Sequence, residues 1–285
     1  MCYNTSYGSD AMKKVKDIEL CSSDGKILGV TNLEHANELR DLGYGTFNGD
    51  TKLIINVKKV KVTKPSKLSR IGIPSYTLSE ELMSAISHGL GTLISIAICV
   101  LCVVLSALHH NPYAVVASAL YGGTSIILYT MSTLYHSFKI NNAKRVFRII
   151  DHCSIYLLIA GTYTPYALVT LREASTALGW SVFGVIWGCA AIGITFTAID
   201  MNKFKVPGMI LYLIMGWMII FTFKSLLANI EFNGILFMLI AGVTYTIGAI
   251  FYGIGKKKKY MHSVFHFFVL AASVLFFFSI LFYVI

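Results

Sequence analysis

From about residue 82 to its end, the chain alternates long apolar runs with short polar connections. A helix needs about 20 apolar residues to cross the hydrocarbon core of a bilayer. Seven segments qualify, at about 82–107, 113–138, 149–171, 178–199, 206–228, 233–254 and 262–285. Helix breakers such as Asn111-Pro112 and Lys205-Val206-Pro207-Gly208 stand between them. The pattern predicts an all-α integral membrane bundle of seven transmembrane helices. Residues 1–75 read differently. Thr31-Asn32 caps a short helix from Leu33 to Leu42, stopped by Gly43. Lys52 to Val62 alternates as a strand does. The chain is thus divided into an N-terminal extension, 1–75, with no motif that assigns it a role, and a membrane domain, 76–285.

Composition agrees with this reading. The chain is 55% hydrophobic and 13% charged, with a mean hydropathy of +0.67, which excludes a soluble globular protein. Basic residues fall on alternate connections. Lys58 to Arg70 precede the first span, Lys139 to Arg148 follow the second, Lys203 and Lys205 the fourth, and Lys256 to Lys259 the sixth. The positive-inside bias therefore puts the N-terminus in and the C-terminus out, the reverse of a G-protein-coupled receptor. No apolar signal-peptide core opens the chain, so the extension is expected in the cytoplasm. The net charge of +10 suits an anionic membrane surface, and no aromatic-interleaved basic face suggests nucleic acid. The Lys256–Lys259 run reads as a topology anchor, with anionic lipid binding as the second reading.

Several local patterns read as structure. Cys99 and Cys102 have metal-motif spacing but no second pair, and they pack as small apolar groups inside a span. Gly184-x-x-x-Gly188 allows close helix packing. Pro165 inside the third span kinks it and frees a carbonyl.

The candidate chemistry lies at one membrane depth. On the predicted topology the second span ends near His136, the third begins with Asp151 in its first turn, and the seventh begins with His262 and His266. Glu80, Glu81, Ser84, Ser87 and His88 open the first span at the same level. Ionisable groups inside a bilayer are costly, which makes them functional candidates. His262 and His266 are four apart, so one helix face presents both imidazoles. Ser132 and His136 repeat that spacing. Three histidines with a fourth position left to water describe a catalytic zinc site, and a nearby carboxylate such as Asp151 can take a proton. His88 can pack this site or face the headgroups. His152 follows Asp151 and points about 100° away on a helix, which keeps it out. His109-His110 lies at the opposite end as a loop. No Gly-x-Ser-x-Gly elbow supports a serine nucleophile.

These residues are also where the chain resembles a known family. Glu80-Glu81 through Ser87-His88-Gly89, Ser132-Thr133-Leu134-Tyr135-His136, Asp151-His152-Cys153-Ser154-Ile155, Ala160 to Pro165, and His262-Ser263-Val264-Phe265-His266 resemble the hemolysin III family. That family is the bacterial branch of the progestin and adipoQ receptor superfamily. The resemblance covers about 76–285. It implies a seven-helix fold, Zn²⁺ on His136, His262 and His266, and a site completed by Asp151 and Ser132. It also implies a multi-pass protein of a bacterial plasma membrane. Ser84 stands where the family usually has Asn.

The resemblance further implies a zinc-dependent hydrolase of a lipid amide or ester, similar to a ceramidase, with Asp151 as base and Ser132 as hydrogen-bond donor. Membrane lipids are then the partners and acyl substrates; oligomeric state is not legible. The alternatives are a pore-forming cytolysin, which the permanently apolar helices disfavour, and a non-catalytic membrane sensor or regulator of lipid homeostasis with structural zinc.

Overall fold

A computed structural model describes residues 18–23, 27–31, 33–41, 45–49, 52–55, 68, 71–255 and 258–285. The chain divides into two compact units, Met1–Ser66 and Lys67–Ile285. In the first unit, β1 (Ile18–Ser22), β2 (Ile27–Thr31), β3 (Gly45–Phe47) and β4 (Lys52–Ile55) form one sheet in the order β2-β1-β4-β3. β1 runs parallel to β4, and the other two pairings are antiparallel. Helix α1 (Leu33–Asp41) buries Ala36 against Ile18 and Leu53. The expected helix is thus present from Leu33 to Asp41. The expected strand is present over Lys52–Ile55, and its remainder, 56–62, lies outside the described residues, as do Asn32 and Gly43. The sequence reading missed β1, β2 and β3. Runs of three to five residues are too short for an alternation of period two to stand out. "All-α" therefore describes the second unit.

That unit holds seven helices long and apolar enough to span a membrane: α2 (Leu78–Leu108), α3 (Pro112–Ser137), α4 (Asn142–Ala174), α5 (Thr176–Asp200), α6 (Lys205–Asn229), α7 (Phe232–Ile254) and α8 (Met261–Tyr283). Their ends agree with the predicted spans to about one helical turn, except at α4. There the helix starts at Asn142, because the Asn141 side chain accepts a hydrogen bond from the Lys144 amide. Lys144 and Arg148, read from sequence as parts of a basic connection, lie within the helix and are buried. Asp151 consequently stands in the third turn of α4 and not in its first.

α3 lies between α2 and α4, α7 packs on α8, and α8 closes back onto α2. α4 is the central helix: 83% of its apolar window is buried inside the protein, against 11% for α6. Pro165 lies inside α4, and the next six residues, Tyr166–Leu171, widen into a π-helical stretch. Proline lacks the amide that would hold the preceding turn, and a local change of helix type is one way to absorb that loss. α2 is started by a capping box: the Thr77 amide donates to Glu80, and the Glu80 amide donates to the Thr77 hydroxyl.

The seam between α2 and α8 is polar and buried. Glu80 also accepts from the Tyr260 amide at 2.7 Å, holding Tyr260 in a left-handed conformation (φ 64°) just before α8. Ser84, where the family usually has Asn, pairs from the first membrane helix with Ser263 on α8 at 3.1 Å. Between α2 and α3 the backbones approach at glycines. A Cβ on Gly122 would lie 2.3 Å from Cys99 Cβ, and one on Gly91 2.6 Å from the Tyr129 ring. Cys99 and Cys102 are free thiols in this packing, as expected for small apolar groups. Gly184 and Gly188 face open space, so this pair brings no two helices of the chain together.

Candidate metal centre

Two helix ends supply the three histidines. His136 stands in the last turn of α3; His262 and His266 occupy the first two turns of α8. All three are buried, and one ring nitrogen from each lies within 4.8 Å of the others. The four-residue spacing on α8 brings His262 Nε2 and His266 Nε2 to 3.1 Å. The His136 ring centroid is 5.3 Å from that of His262 and 4.8 Å from that of His266.

The hydrogen bonds around these rings leave specific atoms unused. His136 Nδ1 donates to Glu81 Oε2 at 2.6 Å, which in the neutral ring leaves Nε2 as the acceptor nitrogen. Buried His136 Nε2, His266 Nδ1 and Ser132 Oγ have no hydrogen-bond partner among the described residues. Burying such a group unpaired costs about 1–3 kcal/mol. Several in one place, beside three imidazoles, mark a position built for an occupant. Neutral imidazole nitrogens are ligands for Zn²⁺ and related divalent ions, so the residues present fit a metal.

The sequence reading gave Glu81 no role. Its carboxylate bridges His136 and Lys144 Nζ, the latter at 2.7 Å. Lys144 in turn donates to the Phe138 carbonyl and sits over the Tyr135 ring. A carboxylate on the far nitrogen of a ligand histidine fixes its tautomer and raises its basicity. The signal was present: Glu81, Ser84 and His88 have the spacing of one face of α2.

His88 packs against the cluster and not outward. Its centroid is 3.9 Å from that of His266, and neither of its nitrogens has a partner. The edge of Tyr129 meets it at 5.0 Å. Asp151 and Ser132 share a cavity with His88, His262 and His266. Asp151 lies outside the group of three histidines, its Oδ2 3.6 Å from His152 Nδ1. His152 also lines this cavity, against expectation. It is held by the Arg148 carbonyl and the Tyr252 hydroxyl, and it belongs to the wall, not to the cluster. The cavity, of about 190 Å³, runs from the histidines along Leu128, Tyr163, Trp217 and Phe276 and is mostly apolar. Tyr76 covers the cluster on its other side, stacked on His262 at 4.8 Å and 15°. Burial pushes its phenol above the ordinary range, so it stays neutral.

The haemolysin-III related family profile matches residues 76–277, the stretch that holds every residue of this cluster. The chain belongs to the haemolysin III family. Relatives of this family member include Hemolysin-3 of Bacillus cereus, 40% identical over 73% of this chain and 93% of the relative. The Hemolysin-3 homolog of Bacillus subtilis (strain 168) is 37% identical over 73% of this chain and 96% of its own. The monocyte to macrophage differentiation factor of Homo sapiens is 27% identical over 62% and 74%. No solved structure matches the chain. With seven apolar helices and this family, the protein is a multi-pass integral membrane protein. Residues 1–75 lie outside the family match, so nothing in the family assigns them a role.

Proposed function

We propose that this haemolysin III protein is a zinc-dependent hydrolase of lipid amide or ester bonds. One observation carries the reading: buried His88, His266 and Ser132, each with an atom unpartnered among the described residues, line a largely apolar cavity that also holds a carboxylate. His136, His262 and His266 would hold the ion through ring nitrogens. Bound there, Zn²⁺ supplies Lewis acidity and an activated water at neutral pH.

The chain's own residues do the rest. Glu81, steadied by Lys144, keeps His136 with its bare nitrogen inward. The apolar cavity takes an acyl chain and excludes bulk water. Ser132 donates a hydrogen bond to the acyl oxygen as negative charge develops on it. Asp151 accepts the proton of the attacking water. The water oxygen bonds to the acyl carbon, the C–N or C–O bond breaks, and Asp151 returns the proton to the leaving group. The positive-inside bias places this end of the bundle at the cytoplasmic leaflet. The shape of the site favours chemistry on a bound molecule over pore formation, since its polar atoms converge on an internal cavity.

The test compares purified wild type with Asp151→Asn on ceramides and lysolipids in micelles, with zinc measured alongside. The expected result is fatty-acid release that falls about 100-fold in the variant at equal zinc, the usual scale for a general base. Zinc retained with no fatty acid released by wild type from any lipid would favour the sensor reading.

A further inference from the structure

A second cavity, of about 310 Å³, adjoins the first. Arg148, His152 and His262 line both. A lipid with its acyl carbonyl at the histidines and its chain in the deep cavity would put its headgroup in this vestibule. The charge of the vestibule is therefore information about the headgroup.

That charge is one-sided. Arg148, Lys205, Lys258 and Lys259 line the vestibule, with Glu80 as its one carboxylate. Glu80 is already engaged by the Thr77 amide and hydroxyl and by the Tyr260 amide. Asp151 lines the deeper cavity and not the vestibule. Arg148 decides the matter. It is 6% exposed, its Nη1 donates to the Gly72 carbonyl, and its buried Nε has no partner among the described residues. No carboxylate forms an ion pair with it among the described residues. A buried guanidinium without a counter-charge is costly. A topology anchor needs only a charge in the headgroup region, not one sunk in a cavity wall. The planar fork of arginine matches two oxygens of a phosphate, with lysines adding point charge at the mouth.

We infer that the vestibule binds the phosphate of an anionic acyl lipid, with Arg148 as the principal contact. This rests on the lipid-hydrolase reading for the placement of the acyl chain, but the binding itself requires no turnover.

The experiment measures the thermal unfolding midpoint of the full chain in detergent. The ligands are short-chain phosphatidylglycerol, phosphatidylcholine and diacylglycerol of equal acyl length, and inorganic phosphate. The variants are Arg148→Gln, Arg148→Lys and the exposed pair Lys258→Gln/Lys259→Gln, which leaves Lys256 and Lys257 as topology anchors. Phosphatidylglycerol should bind most tightly and diacylglycerol least, with millimolar phosphate weakening the phospholipid. Arg148→Gln should lower phosphatidylglycerol affinity about tenfold or more, the scale of a lost charged hydrogen bond. Arg148→Lys should lose part of that, and the lysine pair should lose less. If Arg148→Gln does not fold, the lysine pair and wild-type selectivity still decide. Equal affinity for phosphatidylglycerol and diacylglycerol overturns the inference. So does stabilisation by inorganic phosphate with none by phosphatidylglycerol, which would make the site one for free phosphate. Anionic selectivity lost in Arg148→Gln, with no fatty acid released from any lipid, would sink the hydrolase reading and leave this one standing.

Discussion

The two halves of the helix bundle handle buried polar groups in opposite ways. In the half away from the histidines, such groups are paired. The Tyr166 hydroxyl donates to Ser279, which donates to the Gly234 carbonyl. The Tyr163 hydroxyl donates to the Gly216 carbonyl and accepts from the Ile219 amide. Tyr121 donates to the Ser273 carbonyl, and the Trp187 indole donates to Thr164. In the histidine half, both nitrogens of His88, one each of His136 and His266, Ser132 Oγ and Arg148 Nε have no partner among the described residues. Helices α3, α4 and α8 contribute buried polar groups to both halves. Paired polar groups lock helices together; unpaired ones keep a place for something that is not protein.

Removing the ligands breaks this contrast most completely. His262→Ala with His266→Ala should take zinc from roughly one ion per chain to none, as one three-histidine site is proposed. It should also abolish the stabilisation that a bound ion gives the native state. Metal analysis and thermal unfolding, with and without chelator, check both; stoichiometric zinc in the double variant refutes the cluster as the site. Next in size is the 100-fold loss of turnover expected of Asp151→Asn at unchanged zinc.

Glu81→Gln separates holding the metal from performing the chemistry. It removes the carboxylate that orients His136 and leaves Lys144 without its counter-charge. Zinc affinity should fall about 10–100-fold, the usual cost of losing such a partner. Competition with a chromophoric chelator measures it; an unchanged affinity would make Glu81 a structural ion pair only. The smallest effect lies in the paired half. Tyr166→Phe deletes one interhelical hydrogen bond and should cost about 0.6 kcal/mol, the average for such bonds in membranes, with zinc content unchanged. Loss of zinc there would mean that the halves are coupled.

A further test reads orientation. A reporter fused after Ile285 should report the outside and one placed after Lys259 the inside. A cytoplasmic C-terminus would overturn the leaflet assigned to the site.

Particular residues show where sequence reasoning reached and where it stopped. The spans were legible because hydrocarbon demands about 20 apolar residues per helix, and that demand is local. His262 and His266 were legible as a pair because helix geometry alone puts residues four apart on one face. The start of α4 was not legible. Lys144 and Arg148 look like a loop until Glu81 and the Gly72 carbonyl supply partners for their burial. His152 was set aside on helix geometry alone, yet Tyr252 on α7 gives it a partner in the cavity wall. The Gly184–Gly188 pair carries a packing signature but meets no neighbouring helix.

By itself, then, the sequence determined the number of membrane helices, the residue types of a candidate metal site and the depth expected of them. Each follows from periodicity and transfer energy along a single segment. Only the tertiary structure decided that His136 reaches His262 and His266, that Glu81 holds His136, that His88 turns inward, and that Arg148 is buried with no carboxylate in ion-pair contact among the described residues. Those facts depend on which helices are neighbours and how they are rotated. That is set by packing between segments far apart in the chain, from Glu81 and His136, 55 residues apart, to Glu80 and Tyr260, 180 apart.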